Sequence, residues 1–258
     1  MTPLEIRPMT VGEILQNSAR LFQQNLILLV LVTFLPQAVL LGVETLIGDM
    51  IKERPQILAV IIVVVVVMNA VALSAITTAV AGCVLGYPPT VRQTYSVTLR
   101  NKLFWVVTTY VATAIISTLG FAMVFTPALV LGVVPALFLG FVPTLVLGGY
   151  LAIAIPVIVL ETLPPFMAIA RSFQLMREEL SKGIAVFGFV VLMSGVLPLM
   201  FQMMVGGGPF APLLGTVVGS VTLPFAYTAT VLLYLTVRSK EGYSLEQLGE
   251  DLAQRASR

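Results

Sequence analysis

The run ILAVIIVVVVVMNAVALSAITTAVAGCV, residues 57–84, decides the class of this protein. It contains no charged residue and is longer than the roughly 20 apolar residues that cross the hydrocarbon core of a bilayer. Its apolar residues do not alternate with polar ones, which excludes a membrane β-barrel. The whole chain of 258 residues is 58% apolar and 10% charged, whereas a soluble domain has about 25% charged residues. The sequence therefore predicts an all-α protein that crosses a membrane several times.

The apolar runs predict six spans, at about 26–47, 57–85, 103–125, 134–160, 184–204 and 212–237. The stretch from Leu103 to Leu160 has room for two spans or three. With two, all of the 14 basic residues except Lys52 and Arg54 lie on one side of the membrane, as the positive-inside rule expects of the cytoplasm. We therefore expect a single integral domain over residues 1–258 in the cell membrane, with both termini cytoplasmic. The exact span boundaries within 103–160 stay open.

Three amphipathic segments, at 10–24, 90–101 and 165–182, each precede a pair of spans. In the first, Thr10 and Glu13 have the spacing of a helix capping box. ARLFQ at 19–23 also resembles ARSFQ at 170–174. The pattern predicts interfacial helices on the cytoplasmic side and a possible threefold repeat of one such helix plus a two-span hairpin.

The C-terminal segment, 244–256, predicts a fourth amphipathic helix, and it is acidic. An acidic helix binds anionic lipid poorly. We therefore expect it to dock on the cytoplasmic face of the protein itself or on a partner.

Several classes of chemistry are disfavoured by composition. The chain has no His, which removes imidazole acid–base chemistry and the commonest metal ligand. The lone Cys83 lies in an apolar run and is expected to be an inert, buried thiol. We expect no catalytic residue, no metal and no cofactor, and we expect the protein not to be an enzyme. The net charge of +2 gives no sign of nucleic-acid binding.

Three polar residues within or beside the predicted spans are candidate functional residues. Glu44, near the outer end of the first span, is either an interfacial carboxylate in water or a contact for an ion or substrate. Asn69, in the middle of the second span, either bonds a neighbouring helix or belongs to a polar path through the bundle. Glu161, at the cytoplasmic end of the fourth span, is expected to pair with a basic residue of an interfacial helix and so to fix how that helix lies.

Four arginines of the cytoplasmic segments are candidates for contact with lipid head groups: Arg20, Arg92, Arg171 and Arg177. A cation near an anionic membrane surface gains roughly 1 kcal/mol. Membrane lipid is therefore an expected partner, and the cytoplasmic helices are a possible surface for a protein partner.

Three stretches of sequence resemble one known family: RPMTVGEIL at 7–15, VIVLE at 157–161 followed by AIARSFQL at 168–175, and LYLTVRSKEG at 233–242. They resemble the membrane domain of glycerophosphoryl diester phosphodiesterases, a family that includes stand-alone bacterial membrane proteins. Leu235, Thr236 and Ser244 depart from its pattern, which tends to have tyrosine, aspartate and an acid there. The resemblance implies a membrane module and not the hydrolase activity, because these residues do not include the catalytic barrel.

The first functional hypothesis is a non-catalytic membrane module that scaffolds or regulates a partner, or engages phospholipid at the cytoplasmic face. The alternative is a transporter of lipid or a small solute. That alternative predicts a polar cavity lined by Asn69, Ser74 or Thr77, whereas a dry, apolar bundle centre would favour the scaffold. The substrate, the partner and the oligomeric state stay open.

Overall fold

The computed structural model describes residues 6–53, 56–101, 103–131, 133–161, 163–206 and 211–256, except for the side chains of 44, 47–53, 100–101, 120–121, 123–140 and 253–256. Within these ranges the secondary structure is helical and contains no strand. The predicted all-α class is therefore confirmed.

The long apolar helices follow the predicted spans, and two of them are interrupted. They are α2 (Leu26–Glu53), α3 (Ile57–Val84), α5 (Leu103–Leu131), α6 (Val133–Leu151) with α7 (Ala154–Glu161), α9 (Leu180–Val191) with a π-helical turn (Leu192–Val196) and α10 (Leu197–Met204), and α11 (Ala211–Ser239). By length and composition, five helical segments of the described chain could cross a membrane. The number is six if α4 and the first part of α5, which meet at 81°, count as one broken span.

Four shorter helices accompany them: α1 (Val11–Gln24), α4 (Val91–Asn101), α8 (Pro165–Met176) and α12 (Leu245–Ala256). The helix expected over 165–182 is in fact two helices, because α8 ends at Met176 and α9 begins at Leu180. The N–H of Glu179 donates to the carbonyl of Met176 at 3.1 Å, a tight turn of the kind that ends helices. The chain changes direction there, and Arg177 lies in the turn.

The starts of α1 and α4 are capped in the same way. The N–H of Glu13 donates to the Thr10 hydroxyl at 3.3 Å, and the N–H of Gln93 donates to the Thr90 hydroxyl at 3.3 Å. Each glutamate or glutamine side chain in turn accepts from the backbone N–H of its threonine at 2.8 Å. These are reciprocal capping boxes. The helix α8 begins instead at Pro164 and Pro165, which suit the first turn of a helix.

One face of each of these three helices is buried at matching distances from its cap. The residue four positions after the cap is fully buried in all three helices: Ile14, Thr94 and Ala168. The residue eight positions after the cap is a buried hydroxyl in all three: Ser18, Thr98 and Ser172. This alignment differs by three residues from the one that ARLFQ and ARSFQ suggest.

The long helices form a closed ring. In order around it, α2 packs on α3, α3 on α5, α5 on α6, α6 on α9, the α9–α10 helix on α11, and α11 on α2. The helices α3, α7 and α11 also contact one another across the middle. The short helices cover one end of this ring, with α1 on α11, α4 on α3, and α8 on α7.

Among the side chains that the structure describes, most of the buried ones lie towards that end of the bundle. The buried side chains of α3 lie between Ala70 and Val84, those of α7 between Ala154 and Leu160, and most of those of α11 between Ala226 and Val237. Away from these stretches, apolar side chains such as Ile62 and Met204 are exposed, as expected of a surface that faces lipid. We call the dense region the packed half of the bundle.

Candidate functional site

A cavity of about 1190 Å³ lies between the long helices, and its lining reaches the edge of the packed half at Ile155, Tyr227 and Thr230. All six segments of the ring contribute to its wall. Its volume exceeds the roughly 300–1,000 Å³ that is usual for small-molecule pockets. The wall is largely apolar and carries a set of uncharged polar side chains: Gln37, Asn69, Tyr110, Thr113, Ser117, Ser194, Gln202, Thr216, Tyr227 and Thr230.

Two interruptions of the helices lie in the wall of the cavity. Ser194 belongs to the π-helical turn, and Ala152 lies in the break between α6 and α7. Irregular backbone at membrane depth is tolerated where it lines a cavity or is buried in protein, and π-helical turns are frequent at functional sites. The Ser194 hydroxyl donates to the carbonyl of Val190 at 2.6 Å.

Asn69 lines the cavity, whereas Ser74 and Thr77 do not. The Asn69 amide donates to the carbonyl of Val65 at 2.9 Å, which uses one of its two amide hydrogens. The Ser74 and Thr98 hydroxyls lie 3.1 Å apart in the packed half. Thr77 is buried there too and donates to the carbonyl of Leu73 at 2.8 Å. Of the three residues expected in a polar cavity, only Asn69 is in its lining.

Tyr227 is a cavity residue that the sequence analysis did not single out. Its side chain is only 5% exposed, and its hydroxyl lies near Thr77 and Tyr110. The hydroxyl itself is fully buried beside Thr77, which does not line the cavity. A tyrosine in an apolar run gives no sequence signal of this kind, because its position against α3 and α5 is set by packing between distant segments.

A charged cluster closes the packed half at its outer end, on the side of the short helices. Nε of Arg171 lies 3.4 Å from Oε2 of Glu161, and Nε of Arg238 lies 3.2 Å from Oε1 of Glu161. Both arginines also contact Glu241, and the Tyr234 hydroxyl donates to Glu161 at 3.1 Å. The expected pair between Glu161 and an arginine of α8 is present, so this cluster ties α7, α8 and α11 together.

The surroundings of Glu241 favour its ionised form. Burial raises the pKa of Glu241, but hydrogen bonds from Arg238 and Arg171 outweigh it and hold that pKa below its ordinary value. The Arg238 guanidinium also lies over the ring of Tyr243, 4.6 Å from its centre, in the geometry of a cation–π contact.

A second ion-pair group lies beside the start of α9. The buried Glu179 contacts Lys182 at 3.0 Å and also contacts Lys240. Burial raises the pKa of Glu179, but hydrogen bonds from Lys240 and Lys182 outweigh it and the pKa falls below its ordinary value. This group joins the turn after α8 to the end of α11.

The C-terminal helix α12 docks on the protein itself. Leu248 is fully buried, and Leu245 and Leu252 pack against the core. The Tyr243 hydroxyl donates to Asp251 at 2.5 Å. The sequence left open whether this helix docks on the protein itself or on a partner. In the structure it packs on the protein itself, in contact with α7.

The four candidate lipid-contacting arginines have different surroundings. Arg20, Arg92 and Arg177 are exposed. Arg171 is directed into the protein, because its guanidinium contacts Glu161, Gln174 and Glu241. Its donors are used by these groups, so its place in the structure is that of an internal ion pair.

Two expectations concern sites that the structure describes in part. The side chain of Glu44 lies outside the described residues, although its backbone belongs to α2. Among the described residues, no group of three or more Cys, Asp or Glu is arranged to hold a metal ion.

No family model, curated protein or solved structure matches this chain. The site is therefore interpreted from its own geometry.

Proposed function

We propose that this chain is a multi-pass protein of the cell membrane that takes up a membrane lipid, or a similarly amphipathic molecule, in its central cavity. The observation that carries the proposal is the cavity itself, with Asn69 in its lining. A bundle that served only as a scaffold has no need of such a space, because unfilled volume forfeits packing energy. The proposed activity is binding or transport of lipid, with no covalent chemistry.

The wall favours a lipid over a small polar solute. Apolar side chains of α2, α3 and α11, such as Leu41, Val65 and Leu223, account for much of it, and they suit hydrocarbon chains. The polar side chains of the described lining are uncharged and can form hydrogen bonds with a lipid's polar part.

A cavity-filling substitution tests this proposal. Gly219 lines the cavity, and a Cβ added there would meet no atom within 4 Å. We expect Gly219→Leu to fold normally and to lose lipid that co-purifies with the wild-type protein, measured by native mass spectrometry. Gly42 in α2 also has open space but is not in the lining, so Gly42→Leu is the matched control. Equal lipid retention by both variants and the wild type would contradict the proposal.

The cytoplasmic face is a second proposed site of lipid contact. The exposure of Arg20, Arg92 and Arg177 supports it, since exposed cations near a membrane surface attract anionic head groups. This role is compatible with the cavity, because the three arginines belong to the short helices and their connections. This proposal is consistent with the predicted orientation, in which both termini are cytoplasmic.

We also propose that the bundle is a threefold repeat of one short helix and two spans. Three relationships support it: the matching capping boxes of α1 and α4, the buried hydroxyls at Ser18, Thr98 and Ser172, and the ring in which each second span packs on the next first span. Membership of the glycerophosphoryl diester phosphodiesterase membrane-domain family stays a proposal that rests on the resembling stretches of sequence.

A further inference from the structure

We propose that the central cavity opens sideways between α3 and α5, so that a membrane lipid enters it directly from the hydrocarbon region of the bilayer. Val65 of α3 and Ala114 of α5 border the opening, and both belong to the wall of the cavity. This inference rests on the proposed function, since it concerns the route by which the lipid reaches the cavity.

The exposure of the lining residues is the first observation. Val65 and Ala114 are exposed, whereas the other lining residues that the structure describes are buried or half-buried. These two residues lie on helices that are neighbours in the ring. A side chain that lines a cavity and is also exposed lies where the cavity meets the outer surface. The pair therefore marks an opening between α3 and α5.

The connections of α3 and α5 are the second observation. The two helices are joined through α4, on the side of the short helices, and their other ends continue into α2 and α6. The buried side chains of α3 begin only at Ala70, and the described side chains of α5 from 110 to 119 are not buried. The seam between α3 and α5 is therefore tied together at the end that carries the short helices and free to part at the other end.

Two other seams of the ring are filled in a way that this one is not. A Cβ on Gly148 of α6 would overlap the ring of Phe187 of α9. A Cβ on Gly215 of α11 would likewise overlap the side chain of Gln202 of α10. All four residues line the cavity, so at its level a side chain lies directly on the backbone of the neighbouring helix. The described lining residues of α3 and α5 include no glycine, so no contact of this kind closes their seam.

The surroundings of the opening are apolar. The exposed side chains near Val65 and Ala114 include Val63 and Ile115, at 60% and 52% exposure. The run that contains Val65, residues 57–84, has no charged residue, as expected of a surface in contact with lipid chains. A lipid that enters here transfers its chains from hydrocarbon to a largely apolar wall and does not expose them to water, which would be unfavourable.

The test measures how fast a bound lipid exchanges in variants that narrow or widen the opening. The purified full chain in detergent, with its co-purified lipid, is mixed with an excess of deuterated dioleoyl phosphatidylethanolamine, and native mass spectrometry follows the replacement over time. An obstacle on a route slows entry and release equally and leaves the final occupancy unchanged. We therefore expect Ala114→Trp to slow exchange about fivefold and to keep the wild-type occupancy. Val65→Ala, which removes bulk from the same opening, should speed exchange.

Each variant has a control at a nearby exposed position outside the lining. Ile115→Trp is the control for Ala114→Trp, and Val63→Ala is the control for Val65→Ala, because neither Ile115 nor Val63 lines the cavity. Both controls should exchange lipid at the wild-type rate.

The outcomes separate this inference from the proposed function. Exchange at the wild-type rate in both Ala114→Trp and Val65→Ala would overturn the lateral opening and leave the cavity's role as a lipid site intact. A lower final occupancy of Ala114→Trp at an unchanged exchange rate would also overturn it, because Ala114 would then belong to the wall alone. Equal slowing in Ala114→Trp and Ile115→Trp would overturn it as well. A wild-type protein that retains no lipid and takes up none would overturn both proposals.

Discussion

Nε of Arg238 lies 3.2 Å from Oε1 of Glu161, and this pair joins the last turn of α11 to the last residue of α7. The Glu161 side chain is only 12% exposed, so water screens the pair weakly. Arg171 contacts the other oxygen of the same carboxylate. One acid therefore holds three helices together at the end of the bundle that carries the short helices.

Replacement of Glu161 by Gln should destabilise the protein, because two arginines lose a shared carboxylate. Removal of one partner of a fully buried ion pair costs roughly 3–5 kcal/mol. We expect a smaller loss, about 1–3 kcal/mol, since both arginines keep Glu241. Thermal unfolding in detergent measures it. The control is Glu178→Gln, the same substitution at an exposed residue of the nearby turn. Equal unfolding temperatures for the two variants would refute the prediction.

Replacement of Arg171 by Lys should weaken the same cluster although it keeps the charge. The guanidinium uses Nε, Nη1 and Nη2 for three different residues, and a lysine ammonium cannot reproduce that fixed fork. We expect Arg171→Lys to unfold at a lower temperature than the wild type. Arg177→Lys should unfold at the wild-type temperature, because Arg177 is exposed. If Arg171→Lys unfolds at the wild-type temperature, the cluster needs only the charge and not its geometry.

The stability of the protein should fall in acid partly through Glu179. Its pKa is held below the ordinary value of 4.5, so its stabilising contribution is complete above that value and is lost as the pH falls through the lowered pKa. Lys240 has a raised pKa because it donates to Glu179. Its contribution to stability is therefore lost only in alkali, as the pH rises through the raised pKa of Lys240. We expect Glu179→Gln to flatten the acid side of a plot of unfolding temperature against pH. Glu178→Gln should leave that slope as it is; a slope that is equally steep in wild type and Glu179→Gln would show that other groups cause it.

A close crossing of α6 and α9 at Gly149 and Gly183 should tolerate no side chain. A Cβ on Gly183 would lie 2.6 Å from the carbonyl oxygen of Gly149, which is backbone and cannot move aside. Overpacking of this kind costs about 1–3 kcal/mol, so Gly183→Ala should lower the unfolding temperature. On the same helix, a Cβ on Gly188 would meet only Leu145, at 3.9 Å. Gly188→Ala is thus the matched control and should unfold at or above the wild-type temperature.

Lipid association at the end of the bundle that carries the short helices should depend on the exposed arginines. Replacement of Arg20, Arg92 and Arg177 together by Gln removes three cations, each worth roughly 1 kcal/mol near an anionic surface. We expect less anionic lipid to co-purify, and less effect of added salt on what remains. The control is Arg7→Gln, since Arg7 pairs with Glu13. Unchanged co-purification of anionic lipid by the triple variant would contradict this role.

The parts of this fold that follow from local sequence could be predicted, and those that follow from contacts between distant segments could not. The composition of residues 57–84 requires a long buried or lipid-facing helix, and Thr10 with Glu13 marks the start of α1. The end of α8 could not be placed, because Arg177 to Glu179 continue a pattern that is compatible with a helix. The turn there depends on where α9 must pack against Gly149.

In the candidate site, too, some residues could be predicted from local sequence and others could not. Glu161 could be singled out because an acid at the end of an apolar run needs a partner, and Arg171 follows within one short helix. Asn69 could be singled out because it interrupts an apolar run. Tyr227 and the π-helical turn at Leu192–Val196 had no such signal. Their role depends on the space that six segments leave between them, which no single stretch of sequence encodes.

The packing of α1 on α11 sets an order in time for assembly. The ring of Phe22 lies 5.5 Å from that of Phe225, so the first helix of the chain completes its packing against the last long one. During synthesis, α1 emerges roughly 200 residues before its partner, which at about 5–20 residues per second means a wait of tens of seconds. Its apolar face, with Ile14, Leu21 and Phe22, would be exposed to water during that interval unless another apolar surface covers it. The membrane surface is the nearest apolar medium. We therefore expect the first helix to wait beside the growing bundle and to pack on α11 last.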